Sequence, residues 1–77
     1  MDASTRIRNI VVTAATEGAG LATVLPALFG VTRDRNDLVR AQERLAVELQ
    51  HDPDDAVLVR AHDLVTRALS TDMYPGP

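Results

Sequence analysis

The side chains of this sequence that could act chemically are its two histidines, its carboxylates and a few hydroxyls. His51, Asp52, Asp54 and Asp55 stand close together in the stretch "HDPDD", a donor set suited to a hard divalent cation. Their spacing matches no calcium loop, and a helix start accounts for every acid there. Asp52 would accept from free amides as the capping residue, Pro53 would occupy the first helical position, and Asp54 and Asp55 would sit at the positive helix end. Ser4 and Ser70, the candidate nucleophiles, lie near helix or chain ends with no elbow motif around them. The absence of cysteine excludes disulfides, thiolate metal sites and a thiol nucleophile. No catalytic residue, metal ligand or cofactor-binding residue is assigned, no cofactor is expected, and the chain reads as non-enzymatic.

Binding chemistry is the alternative to catalysis. Arg33, Arg35 and Arg40 could meet phosphates, and Leu25, Phe29, Gly30, Val31 and Thr32 resemble the heart of a helix-turn-helix: two apolar residues, a turn glycine, an apolar residue and a capping hydroxyl. Pro26 departs from that motif where a small helical residue packs, and Asn36 where an apolar side chain is buried. Asp34 and Asp37, interleaved with the arginines, would be repelled by a duplex. The formal net charge of −3 also has the wrong sign for a phosphate-gripping domain. Phe29 and Tyr74 alone make no stacking platform for single strands. The pair His62–Asp63 resembles the metal dyad of HD-type phosphohydrolases, without the further ligands that those domains supply.

A membrane is a second candidate partner. Residues 10–31 carry a single charge, Glu17, and are long enough to span a bilayer. Glu17 near mid-depth, the threonines, the glycines and Pro26 weigh against insertion. A membrane anchor is therefore an alternative rather than the preferred reading.

The elements that must position these residues are helical. Ala, Leu, Arg and Glu dominate, the chain is 45% hydrophobic and 25% charged, and no stretch alternates with the period of a strand. The expected fold is all-α, a small three-helix bundle. The first helix runs from about Ser4 or Thr5 toward Val24 and is expected to kink or break near Pro26. The second is capped by Thr32, Asp34 or Asn36, with Asp34 and Asp37 resembling a capping box and Leu38, Ala41, Leu45 and Leu49 as its stripe. The third begins at Pro53, and its short link to the second predicts an antiparallel hairpin. Residues 1–70 read as a single helical domain and residues 71–77 as a flexible tail unless something holds Tyr74.

One stripe governs the functional expectation. Ile7, Val11, Ala14, Gly18, Leu21, Leu25 and Leu28 alternate steps of four and three, the spacing that keeps one edge against a neighbouring helix. At Ala14 and Gly18 another backbone could approach closely. A chain of 77 residues gains little stability from its own core, so a partner chain would help it. The expected function is a cytoplasmic helical interaction or assembly module whose partner is itself or another protein. Nucleic acid is disfavoured as a partner; membrane attachment through residues 10–31 and DNA contact through Arg33, Arg35 and Arg40 are the alternatives.

Overall fold

A computed structural model describes residues 1–75. They form four helices and no strand: α1 (Ala3–Glu17), α2 (Leu21–Val31), α3 (Arg35–His51) and α4 (Ala56–Leu69). The all-α class stands, but the count of three is corrected to four, because the expected first helix is two.

The break falls at residues 18–20 and not at Pro26. Gly18 adopts φ 73°, the left-handed conformation in which glycine pays no Cβ penalty. The Ala19 amide then donates to Ala14 O (2.9 Å) and the Gly18 amide to Ala15 O (3.3 Å), so the last carbonyls of α1 are satisfied by the turn itself. Pro26 instead lies inside α2. Its ring and Ala22, whose carbonyl would have accepted the missing amide, are both exposed, so water is available to that carbonyl.

The other helix ends follow side-chain capping, in places differently from expectation. Asp2 caps α1, its carboxylate accepting from the Thr5 amide (2.9 Å) and the Ser4 hydroxyl (3.0 Å). Asp34 caps α3 by accepting from the Asn36 amide (2.9 Å). The reciprocal half of the box is routed through Thr32. The Asp34 amide donates to Thr32 Oγ1 (3.0 Å), and that hydroxyl donates to Asp37 Oδ2 (2.7 Å). α4 starts at Ala56, three residues later than expected, with Asp55 as its cap accepting from the Val57 and Leu58 amides. Asp52 closes α3 instead, and Pro53 and Asp54 form the turn between them, held by the Asp55 amide on Asp52 O (3.2 Å).

α1, α3 and α4 pack mutually, while α2 packs on α1 and α4 and not on α3. Between them lies one core: Ile7 and Val11 from α1, Val24 and Leu28 from α2, Leu38, Ala41 and Leu45 from α3, and six side chains of α4. The radius of gyration, 11.3 Å, is close to the roughly 11.5 Å expected for a folded chain of this length. Polar clasps join the helices outside the core. Arg8 of α1 grips Glu48 of α3 with two hydrogen bonds, one to each carboxylate oxygen (2.9 and 2.5 Å), and Gln42 of α3 donates to Thr66 Oγ1 of α4 (2.9 Å).

The segment after α4 is held through Tyr74, which is 1% exposed. Its ring meets Phe29 edge-on at 5.6 Å, its hydroxyl donates to Thr32 O (2.9 Å), and Arg35 donates to both Leu69 O (2.7 Å) and Tyr74 O (2.9 Å). The expected tail is therefore docked at residue 74; residues 76 and 77 lie outside the described residues.

Candidate functional site

The residues expected to form a seam divide into two groups. Ile7, Val11, Ala14 and Leu28 are buried, at most 7% exposed, against the chain's own helices. Leu21 and Leu25 are half-buried beside the same core. Gly18 is exposed, and a Cβ placed on it would meet nothing within 4 Å. Its place is to end a helix rather than to admit one. The greater part of the heptad edge is thus filled from within the molecule.

The three arginines considered for phosphate contact make three different contacts. Arg35 is half-buried and spends its guanidinium on the carbonyls of Leu69 and Tyr74. Arg33 is exposed with its guanidinium 4.9 Å over the Phe29 ring, a cation–π arrangement. Arg40 pairs with Asp37 at 3.5 Å on its own helix. The backbones of α2 and α3 make no close approach to each other among the described residues. His51, Asp52 and Asp54 are exposed in the α3–α4 turn, and no group of three or more metal-ligating side chains comes together among the described residues. No helix among those residues is long and apolar enough to cross a membrane. The break at residues 18–20 leaves α2 at 11 residues, roughly 16 Å of helix against a hydrocarbon thickness of about 30 Å.

Two surface grooves stand out among the described residues. The larger, about 710 Å³ between α1 and α3, is lined mainly by charged and polar side chains. Its strongest donors are committed: Arg8 to Glu48 and Arg44 to the Thr5 hydroxyl. The Arg8 clasp holds the Glu48 carboxyl below its ordinary range, chiefly through the hydrogen bond and against the cost of partial burial.

The smaller groove, about 330 Å³, runs between α1 and α2 and differs in chemistry. Ile10, Thr13 and Ala14 form one wall, Thr23, Val24 and Ala27 the other, and Glu17 and Ala19 lie at the connecting turn. Continuous with it is the outer side of α2, where Ala22, Thr23, Pro26, Ala27 and Gly30 are exposed. Not one residue of α2 is charged. The exposed sides of the other helices do carry charge: Arg6 and Glu17 on α1, Arg40 and Glu43 on α3, Arg60 and Arg67 on α4.

This face was missed in the sequence because the stripe through Leu21, Leu25 and Leu28 was read as one edge of a single long first helix. Within α2, residues 22, 26 and 30 lie along one line, with 23 and 27 beside it, opposite the buried Val24 and Leu28. The signal was the pair of glycines bracketing Ala19, with an uncharged segment following. Set against protein-family profiles, curated proteins and solved structures, the chain matches none of them.

Proposed function

We propose that the protein is a non-catalytic assembly module that docks on a protein partner through the outer side of α2 and the groove beside it. The observation that carries this reading is the complete absence of charge from an 11-residue helix whose outer side faces water, in a chain that is 25% charged. Covering a charged surface means desolvating it, so surfaces that are covered in an assembly are depleted in Asp, Glu and Lys at their centre. Ala22, Ala27 and Gly30 project little, which lets a partner approach close to the α2 backbone over its whole length. The rigidity of the face comes from the core beneath it, where Val24 and Leu28 are 1% and 0% exposed.

A photo-cross-linking residue placed at Thr23, compared with one at the exposed Val59 of α4, tests the proposal in the producing cell. The expected result is a defined adduct at position 23, identified by mass spectrometry, and none at position 59. No adduct from position 23, or the same products from both positions, would overturn it.

A further inference from the structure

We infer that the segment after α4 is a latch: Tyr74 fills a socket made by Phe29, Thr32 and Arg35, leaves it without unfolding of the helices, and gives place there to a tyrosine-bearing segment supplied in trans. The inference does not rest on the docking reading, since the socket is built from other residues than the outer side of α2 and its groove.

Among the described residues, Tyr74 is the one buried apolar side chain that no helix supplies. Around it Asp72, Met73 and Pro75 are exposed. The backbone bonds of the segment stay local, from the Thr71 amide to Ala68 O (3.2 Å) and from the Tyr74 amide to Thr71 O (3.4 Å). Its hydrogen bonds to other elements are those of the Tyr74 hydroxyl on Thr32 O and of Arg35 on Tyr74 O, each 2.9 Å. A single anchoring residue thus offsets the ordering of several, each of which regains backbone freedom on release. Segments held in this way open locally, at a free energy below that of the whole fold. The helices keep their own contacts when the anchor leaves: Arg35 still donates to Leu69 O (2.7 Å), and the rest of the apolar core comes from α1 to α4.

The chemistry of the socket names its ligand. The Phe29 ring takes a second ring at 5.6 Å with the planes 78° apart, Thr32 O accepts a phenolic proton, and Arg35 Nη1 donates to the carbonyl of the same tyrosine. A phenylalanine would meet the ring and the guanidinium but leave the Thr32 carbonyl without its donor, so tyrosine is preferred. The chain itself holds such a ligand beside the socket at high effective concentration. The site is therefore closed to weak competitors and yields to a segment that brings further contacts of its own.

An NMR titration of the isotope-labelled full chain with an acetylated peptide of residues 70–75 tests this, in the wild type and in Tyr74→Ala. The variant is expected to keep its helices by circular dichroism, and its Phe29, Thr32 and Arg35 signals are expected to move toward their wild-type positions as peptide is added. The wild type, whose own Tyr74 competes, is expected to bind the peptide about tenfold more weakly or less. Adding Arg35→Gln to the variant is expected to weaken binding about tenfold, and a peptide with Tyr74→Phe about fivefold. Loss of the helices in Tyr74→Ala would overturn the inference, because a latch opens without unfolding. Absence of any shift in the folded variant, or equal binding by variant and wild type, would overturn it as well.

Discussion

Gly18 has the only positive φ among the described residues, and one torsion there decides how the first third of the chain is organised. Its Cβ position is open space, so steric room does not govern a substitution; the backbone conformation does. Gly18→Ala is expected to cost about 1 kcal/mol, which in a domain of this size lowers Tm by roughly 4–8 °C. The association state should be unchanged, because Gly18 ends a helix and lies outside the proposed face. Calorimetry checks the first expectation and sedimentation the second; an unchanged Tm would remove the strain argument. Asp52 and Asp55 teach a related lesson. Both are capping types at plausible positions, and the structure uses Asp55 for the amides of α4 and Asp52 to end α3. Local preference ranks residue types for a cap but is nearly equal for two aspartates three residues apart.

At the scale of elements, the junction of α2, α3 and α4 is closed by the segment after α4. Tyr74 sets its ring edge-on against Phe29, the one phenylalanine of the chain, and hydrogen-bonds the link between α2 and α3, while Arg35 ties the end of α4 to the same point. The backbones of α2 and α3 do not pack closely on each other, so this junction helps to position the C-terminal end of α2, where Arg33 stands. Tyr74→Phe preserves the edge-on ring contact and removes one hydrogen bond to the Thr32 carbonyl. The expected loss is about 1 kcal/mol in urea unfolding. Burial also pushes the Tyr74 phenol above its ordinary value of 10.0. The neutral form is therefore favoured in the fold, so its contribution is present below pH 10 and lost above it. The phenylalanine variant should lose that alkaline component along with the hydrogen bond.

For the whole molecule, the acid side of the stability profile is set by two carboxylates with depressed pKa values. Asp2 is lowered from 3.8 to about 2, first by the hydrogen bond from the Thr5 amide and then by those from the Thr5 and Ser4 side chains. Glu48 is lowered from 4.5 by Arg8. Because the folded values lie below the unfolded ones, each contributes stability above its unfolded pKa and loses it as protons are forced on. Tm is expected to be flat above about pH 5 and to fall toward pH 2. Melts across that range check this; Glu48→Gln should flatten part of the slope, and a profile independent of pH would contradict it. The Arg8–Glu48 clasp joins α1 directly to α3, so its share of the acid loss is an opening between elements, while the share of Asp2 is fraying at the start of α1.

Composition and periodicity by themselves determined the helical class, the apolar stripe of α3 and the absence of cysteine chemistry. They did so because burial of one helix face leaves a period of 3.6 in the sequence, whatever the neighbours. The same periodicity concealed the break in the first third. Ala14 and Leu28 sit on opposite sides of Gly18 yet face one core, so buried residues at both ends of the stripe gave the appearance of one continuous helix. Whether Gly18 or Pro26 stops a helix involves local energies of only a kcal/mol or so. That choice fell to the tertiary structure, where Val24 and Leu28 reach the core only if the chain turns at residues 18–20. The docking of Tyr74 is likewise tertiary, because its hydroxyl finds its acceptor at Thr32 and its ring meets Phe29, both far away in the sequence, and such contacts leave no local signature.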